Sequence, residues 1–247
     1  IPAPYSIYKD IYKLEPGQVV ELDSDSKALK KSYFWSIEEV LRNGSKNRFK
    51  DAPEIVVNNL ERVLLNSISS QMQSDVPLGA FLSGGIDSST IVALMQSRSD
   101  DKINTFTIGF NDQDFDEAKH ASLVAKHIGT NHFDMYVNEK DALDVIPLLP
   151  HIYDEPFADS SQIPTFLVSK FAKEKVTVAL SGDAGDELFG GYNRYVLTKK
   201  TLSKILKAPI FLRKFFSKAI TGITEEKWNI LLSRLLRKTI MQILVTK

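Results

Sequence analysis

Apolar residues follow two different periodicities along this chain, and together these predict an alternation of strands and helices. Four short apolar runs are typical of buried strands: 76–82, 103–110, 132–137 and 176–180. Around them apolar residues recur every three or four positions, which predicts helices over 53–74, from 87 onward, and over 116–128, 138–149 and 160–173. Strands that alternate with helices connect through right-handed crossovers, so the pattern predicts an α/β domain built on a parallel sheet.

The two ends of the chain lack this alternation. Residues 1–35 contain short extended pieces and turns, and residues 36–50 are polar, with a turn expected at Asn43-Gly44. After Tyr195 the strand signal ends, and apolar residues keep a helical spacing up to Lys247. We therefore predict a linker over 1–35, an α/β domain over 36–195, and a helical C-terminal part over 196–247 that belongs to a longer protein.

Composition excludes several functional classes. The 247 residues contain 31 Lys and Arg and 31 Asp and Glu, so no net field favours nucleic acid or a membrane surface. They contain no cysteine, which excludes a disulfide framework, a thiolate metal site and a cysteine nucleophile within these residues. No apolar stretch is long enough to span a bilayer, and no signal-peptide pattern opens the chain. We expect a cytoplasmic protein that binds neither nucleic acid nor membrane.

The first chemical motif follows the apolar run 76–82. The run ends in Ser83-Gly84-Gly85, and a helical pattern starts at Asp87. Glycines let the backbone approach an oxyanion, and the first N–H groups and dipole of a helix attract negative charge. The hydroxyls of Ser83, Ser88 and Ser89 add donors, whereas the Asp87 carboxylate would repel a bare phosphate. We therefore expect a Mg2+ ion between Asp87 and the phosphates of a nucleotide.

Two common nucleotide-binding loops do not fit this motif. A Walker A loop needs lysine followed by Ser or Thr, and no lysine occurs here. A dinucleotide loop needs a third glycine, and position 88 is serine. The alternative is a Ser- and Gly-rich turn that only caps an ordinary helix.

A second polar motif follows the apolar run 176–180. After Ser181-Gly182 it carries three carboxylates within five positions: Asp183, Asp186 and Glu187. These acids would repel one another, so a divalent cation held by Asp87 and Asp186 is the natural partner. The alternative is the start of a helix whose acids favour the helix dipole.

The motifs resemble, in order, those of the glutamine-hydrolysing asparagine synthetases, a family of the ATP pyrophosphatase (PP-loop) superfamily. They are Ser83–Ser89, Phe106–Gly109, 115–118 with 129–132, and Ser181–Tyr192. The resemblance implies an adenine nucleotide α-hydrolase-like fold, in which helices cover both faces of a parallel sheet in three layers. Residues 1–17 resemble the tail of the glutaminase domain that precedes the synthetase domain in this family.

The resemblance also implies roles for individual residues. Leu82, Ile108, Ser181 and Gly182 match positions that hold adenosine or AMP. Five residues match the pyrophosphate cradle: Ser83, Gly84, Gly85, Ser88 and Ser89. Asp87 and Asp186 match the Mg2+ ligands. Asp183, Asp186 and Glu187 are the candidate catalytic carboxylates; several members have Glu at position 183, and Ala184 replaces a frequent glycine.

The implied reaction is an ATP-dependent amide synthesis. Mg-ATP adenylates a carboxylate, with aspartate as the expected acceptor, and ammonia from a glutaminase domain then releases AMP and asparagine. Three alternatives stay open: a relative that acts on a sugar acid or a peptide carboxylate, a sulfur-transfer or tRNA-modifying pyrophosphatase, and a non-catalytic nucleotide-binding relative. The oligomeric state and the lysine that the family carries in its C-terminal helices are also left open.

Overall fold

The computed structural model describes residues 1–110, 117–224 and 227–228. The chain forms two compact units, Ile1–Asp183 and Ala184–Lys247. The loop predicted after Phe110, the first residues of the motif at 115–118, and the helical pattern over 229–247 lie outside the described residues. The domain boundaries after 35 and 195 stay predictions.

A parallel sheet forms the centre of the first unit. Within the described residues its order is β5–β4–β3–β6, where β3 is Leu78–Phe81, β4 is Asn104–Phe110, β5 is Asn131–Val137 and β6 is Val178–Leu180. Ala80 of β3 pairs with Thr105 on one side and with Leu180 on the other. The chain leaves β3 toward β4 and β5 and returns to β6 on the opposite side of β3. The predicted strands and their parallel arrangement are confirmed.

Helices cover both faces of this sheet. In chain order the helices described in the first unit are α1 (Ile37–Lys46), α2 (Pro53–Gln71), α3 (Ile86–Gln96), α4 (Ala118–Ile128), α5 (Glu139–Val145), α6 (Leu149–Ile152) and α7 (Gln162–Ala172). Buried residues of α2, α3 and α4 pack on one face, and α5 and α7 contribute to the cores on the other. The three-layer α/β class predicted from sequence is therefore confirmed.

Successive side chains along a strand point to opposite faces of the sheet, so β3 and β4 contribute to the cores on both faces. Ala80 and Leu82 pack with α3 and α4, whereas the intervening Phe81 faces α7. Phe106 of β4 is fully buried; its ring stacks on Phe133 at 5.5 Å between centroids and meets Phe171 edge-on at 5.9 Å. These aromatic contacts anchor α7 to the strands.

Two local expectations differ from the structure. Asn43 and Gly44 lie inside α1 rather than in a turn, because the helical hydrogen bonding continues and the N–H of Asn47 donates to the carbonyl of Asn43. The helix expected over 138–149 is broken into α5, a 3₁₀ turn at Ile146–Leu148 and α6. Pro147 and Pro150 lack the N–H that a continuous helix needs, so each stands in a first turn.

The chain has further elements before and after the segments that form the sheet. An antiparallel pair, β1 (Gln18–Leu22) and β2 (Leu29–Tyr33), lies in the region predicted as extended pieces and turns. The second unit contains α8 (Gly185–Phe189), α9 (Asn193–Leu206) and α10 (Ile210–Thr221), so helices account for most of the described residues after Tyr195. Among the described residues, no helix is both long enough and apolar enough to cross a membrane.

His132 of β5 lies in a buried polar network. Its Nδ1 is 2.9 Å from the hydroxyl of Thr105, which is 3.0 Å from the hydroxyl of Thr130. Its Nε2 is buried and has no hydrogen-bond partner among the described residues. Burial lowers the pKa of His132 below its ordinary value, against a smaller opposing effect of Asp134.

This network predicts how stability depends on pH. Because the folded protein binds a proton at His132 less readily than the unfolded chain, the free energy of unfolding should fall as pH drops from about 7.5 through 6.5. His132→Gln should flatten this dependence. Urea unfolding of both proteins at pH 7.5 and 5.5 measures the effect, and equal losses in the two proteins would contradict the assignment.

Candidate functional site

The first loop lies directly beyond the carboxyl end of β3. The N–H of Leu82 donates to the carbonyl of Phe106 at 2.9 Å, which extends the pairing with β4 by one residue. Residues 83–85 then turn the chain into α3, whose first residue is Ile86. The strand, turn and helix predicted from sequence are therefore present, and the helix N-terminus starts at the edge of the sheet.

Hydrogen bonds between serines fix the shape of this loop. The hydroxyls of Ser83 and Ser88 are 3.0 Å apart, and the N–H of Ser83 donates to the Ser88 hydroxyl at 3.2 Å. The Ser83 hydroxyl also accepts the N–H of Gly85 at 3.3 Å. Ser88 is buried, so these bonds replace contacts with water. The two serines thus pin the turn to the first turn of α3.

Gly84 is required both by its backbone angle and by its surroundings. Its φ of 82° lies in the left-handed region, which favours glycine. A methyl group at this position would lie 2.8 Å from the backbone nitrogen of Ala121 and 2.9 Å from the carbonyl carbon of His120 in α4. The turn is therefore packed against the first turn of α4 as well as α3.

The start of α3 retains groups that suit an anion. No side chain caps the helix, so its first N–H groups are free of a side-chain partner. The hydroxyl of Ser89 is buried without a hydrogen-bond partner in the described part of the chain. The Asp87 carboxylate forms no hydrogen bond or ion pair with a described residue. An oxyanion with a cation would offset the cost of these unpaired groups.

The second motif reaches the same place from β6. A methyl group at Gly182 would lie 2.6 Å from the backbone nitrogen of Ser88 and 2.9 Å from the carbonyl carbon of Asp87. The Ser-Gly pair after β6 is therefore in direct backbone contact with the first turn of α3. Since the strand order reverses at β3, this contact lies at the topological switch point, where parallel sheets bind ligands.

A cavity of about 360 Å³ opens beside the first loop. Its walls come from the ends of β3 and β4, from α7 and from the residue before α4: Phe81, Leu82, Ser83, Phe106, Thr107, Ile108, Phe110, Glu117, Pro164, Thr165 and Val168. Most of these side chains are apolar, and the size suits a small flat ring system. Leu82 and Ile108, predicted to hold adenosine, both line it.

A short hydrogen-bonded turn follows β6. The hydroxyl of Ser181 donates to Oδ2 of Asp183 at 3.0 Å and accepts the N–H of Asp183 at 3.4 Å. Asp183 is exposed, so its carboxylate is available to a ligand. The first unit therefore ends with a carboxylate that its neighbouring serine holds in place.

The other two predicted carboxylates belong to the second unit. Asp186 and Glu187 lie in the first turn of α8. The hydroxyl of Tyr192 donates to Oε1 of Glu187 at 2.6 Å. This bond lowers the pKa of Glu187 and raises the pKa of Tyr192 to about 12. Glu187 is thus already engaged within its own unit, a contact that the sequence did not indicate.

Within the first unit the structure brings several of the predicted site residues close together. There it brings the Ser83–Ser89 loop, Leu82, Ile108 and the Ser181-Gly182 pair to one edge of the sheet. The wall that α7 contributes through Pro164, Thr165 and Val168 was not predicted from sequence, since the helical pattern of α7 carries no chemical motif. No cluster of three or more His, Cys, Asp or Glu residues suited to a metal occurs among the described residues.

A protein-family comparison identifies the chain. The model described as "Asparagine synthase" matches residues 59–242. The chain belongs to the asparagine synthase family.

Individual relatives agree with this assignment. One relative is a Methanocaldococcus jannaschii protein whose name describes it as a glutamine-hydrolysing asparagine synthetase. It is 41% identical over 219 residues, and the alignment covers 88% of this chain and 41% of the relative. Asparagine synthetase 1 of Bacillus subtilis is 35% identical, covering 79% of this chain and 29% of the relative. Asparagine synthetase B of Escherichia coli is 31% identical, covering 71% and 36%. The chain thus spans less than half of each relative.

A comparison with solved structures finds one protein that aligns with this chain. It is an NH3-dependent NAD synthetase from Campylobacter jejuni in complex with the nitrate ion, and it shares 11% identity with a TM-score of 0.35. The alignment covers 74% of this chain and 94% of that one.

The contact at Gly182 predicts the effect of a single methyl group. In Gly182→Ala the new Cβ would force the backbone away from α3, which should cost about 1–3 kcal/mol of stability and weaken ATP binding about tenfold. Gly44→Ala is the matched control, because no atom lies within 4 Å of a methyl group there. Thermal unfolding and nucleotide titration measure both effects, and unchanged ATP affinity in Gly182→Ala would contradict the assignment.

The backbone conformation of Ala184 predicts that a substitution at this position stabilises the protein. Its φ of 71° places an L-residue in the left-handed region, which favours glycine. Ala184→Gly should remove a strain of about 1–2 kcal/mol, less the extra entropy of glycine in the unfolded chain. A lower unfolding midpoint in Ala184→Gly than in the parent protein would rule out strain at this residue.

Proposed function

We propose that this chain carries the amide-forming part of an asparagine synthetase, in which ATP activates a carboxylate as its adenylate. The observation that carries the proposal is the contact between Gly182 and the first turn of α3. It joins two Ser-Gly turns around an uncapped helix N-terminus, beside an apolar cavity. Family membership supports the same chemistry.

In this proposal each part of the site binds a different part of ATP. The cavity between Leu82, Ile108 and α7 receives the adenine ring, whose flat faces suit apolar walls. The N–H groups of the Ser83–Ser89 loop receive the β and γ phosphates. The buried Ser89 hydroxyl supplies a donor that has no partner among the described residues. Ser181 and Gly182 lie where the sugar and α phosphate would follow.

A divalent cation is part of the proposal. Asp87 stands in the first turn of α3 without a described cation partner, and carboxylate oxygen is the donor that Mg2+ prefers. Asp87 in the first unit and Asp186 in the second are the ligands expected from sequence. When bound, Mg2+ would neutralise phosphate charge and stabilise the departing pyrophosphate.

The chemistry explains why ATP is needed. A carboxylate does not react with ammonia, because oxide is a poor leaving group. Attack of one carboxylate oxygen on the α phosphorus forms an acyl-adenylate and breaks the bond to pyrophosphate. The loop N–H groups would stabilise the charge that develops on pyrophosphate without having to reorganise. Ammonia then attacks the acyl carbon, and AMP leaves with the carboxylate oxygen.

The acceptor of the adenylate group is a carboxylate. Aspartate is the acceptor suggested by the names of the relatives, and the exposed Asp183 carboxylate lies at the position expected to face the acceptor or the attacking amine. A sugar acid or a peptide carboxylate is the alternative. A non-catalytic nucleotide-binding role is the other alternative; the unpaired Asp87 carboxylate favours catalysis.

Identifying the products that the protein forms from ATP tests this proposal. The full-length protein should convert Mg-ATP, L-aspartate and ammonium into AMP, pyrophosphate and asparagine in equal amounts. Chromatography of nucleotides and amino acids measures all three. Formation of AMP without asparagine would support the adenylation step but show that the acceptor is not aspartate. Formation of ADP would contradict the mechanism.

The metal assignment predicts a separate effect. Asp87→Asn should raise the Mg2+ concentration needed for half-maximal AMP formation by about tenfold or more, because a ligand charge is lost. Asp101→Asn is the matched control, since Asp101 is exposed and lies away from the loop, after α3. An unchanged Mg2+ requirement in Asp87→Asn would show that this carboxylate is not a ligand.

A further inference from the structure

Residues 186–192 form a closed clip within the second unit. At one level of the clip, the N–H of Gly191 donates to the backbone carbonyl of Asp186 at 3.0 Å. At the next level, the hydroxyl of Tyr192 donates to the carboxylate of Glu187 at 2.6 Å. The consecutive residues Gly191 and Tyr192 thus bond to the consecutive residues Asp186 and Glu187. The clip joins the first turn of α8 to the residues that follow the helix.

The clip leaves the Asp186 side chain little freedom. A methyl group at Gly191 would overlap Oδ1 of Asp186. The carboxylate therefore lies directly against the backbone of Gly191, and its position depends on where the clip holds that backbone. Any change that opens the clip would release Asp186 to other rotamers.

The Tyr192 ring is itself fixed from two sides. The Arg194 guanidinium lies 4.0 Å from the centroid of the Tyr192 ring. The Tyr195 ring meets Tyr192 edge-on at 5.6 Å between centroids. A cation over the ring face and an aromatic partner both stabilise one ring orientation. The Tyr192 hydroxyl is therefore directed at Glu187 by packing as well as by its hydrogen bond.

We propose that Tyr192, acting through Glu187, is a positioning residue that holds the Asp186 carboxylate in place to bind the divalent cation. This inference rests on the proposed function, in which Asp186 is a cation ligand. It gives Glu187 a different role from the catalytic one expected from sequence: Glu187 accepts the Tyr192 hydrogen bond and does not touch the reacting atoms. The partners that orient a metal ligand commonly affect metal affinity strongly when they are removed.

Cation affinity measured apart from turnover tests the proposal. In the full-length protein with a non-hydrolysable ATP analogue, Mn2+ binding is followed by electron paramagnetic resonance. Tyr192→Phe keeps the ring and its stacking but loses the hydroxyl, and it should weaken Mn2+ binding about tenfold or more. Gly191→Ala should weaken binding similarly, because its methyl group displaces the Asp186 carboxylate.

Two further variants separate positioning from direct ligation. Glu187→Gln keeps an oxygen that can accept the Tyr192 hydroxyl, so its Mn2+ affinity should stay within about threefold of the parent protein. A loss in Glu187→Gln as large as in Asp186→Ala would make Glu187 a direct ligand and overturn the proposal. Tyr195→Phe is the matched control, since the Tyr195 hydroxyl makes no hydrogen bond to a described residue.

The parent protein and Asp186→Ala show which idea fails. If the parent binds Mn2+ with the nucleotide and Asp186→Ala does not, but Tyr192→Phe binds normally, the clip is not a positioning device and the proposal is overturned. If Asp186→Ala also binds normally, Asp186 is not a ligand and the proposal is overturned at its premise. If the parent binds the nucleotide neither with nor without Mn2+, the proposed function itself fails.

Discussion

Gly182 and the first turn of α3 lie closer together than any side chain at position 182 would permit. The contact is between backbones: a Cβ at Gly182 would be 2.6 Å from the nitrogen of Ser88. It requires that β6 run beside β3 in parallel and that both strands end at the same level. Leu180 pairs with Ala80, which fixes that level. The register of one strand pair therefore decides whether the two Ser-Gly turns can share a ligand.

The rest of the first unit supports this register. The buried Phe106 and its two aromatic neighbours lock β4 to α7 on one face of the sheet. Leu82, Val92, Met95 and Ala121 pack β3 against α3 and α4 on the other face. Gly84 brings the turn against α4. The Ser83–Ser89 loop thus follows a strand that is held between two cores, so its N–H groups would not need to reorganise if charge developed on a bound ligand.

Sequence periodicity was sufficient to predict the fold of the first unit. Strands β3 to β6 and helices α2 to α4 and α7 lie where apolar spacing predicts them, because each buries a face whose period the chain displays locally. The loop from Ser83 to Ser89 was also visible, since glycine, serine and a helix start occur together in one short stretch. The helix α1 was missed because its Asn43-Gly44 pair favours a turn and none of its residues is buried.

The contacts that complete the site were not visible in the sequence. The approach of Gly182 to Ser88 and the wall that α7 gives to the cavity join residues far apart in the chain. The bond from Tyr192 to Glu187 is local but has no periodic signature, and the sequence alone favoured a metal or helix-dipole role for the acid. Resemblance to a family suggests residue roles, whereas the three-dimensional structure shows which neighbours already bond to a side chain.

The central claim is that the acceptor carboxylate attacks the α phosphorus of ATP. It is tested most directly by following an oxygen atom of that carboxylate into the products. Aspartate labelled with 18O in its side-chain carboxylate is incubated with Mg-ATP, ammonium and the full-length protein, and the AMP is examined by mass spectrometry. If the carboxylate attacks the α phosphorus, AMP carries one labelled oxygen and pyrophosphate carries none. Unlabelled AMP, or label in inorganic phosphate beside ADP, would contradict adenylation.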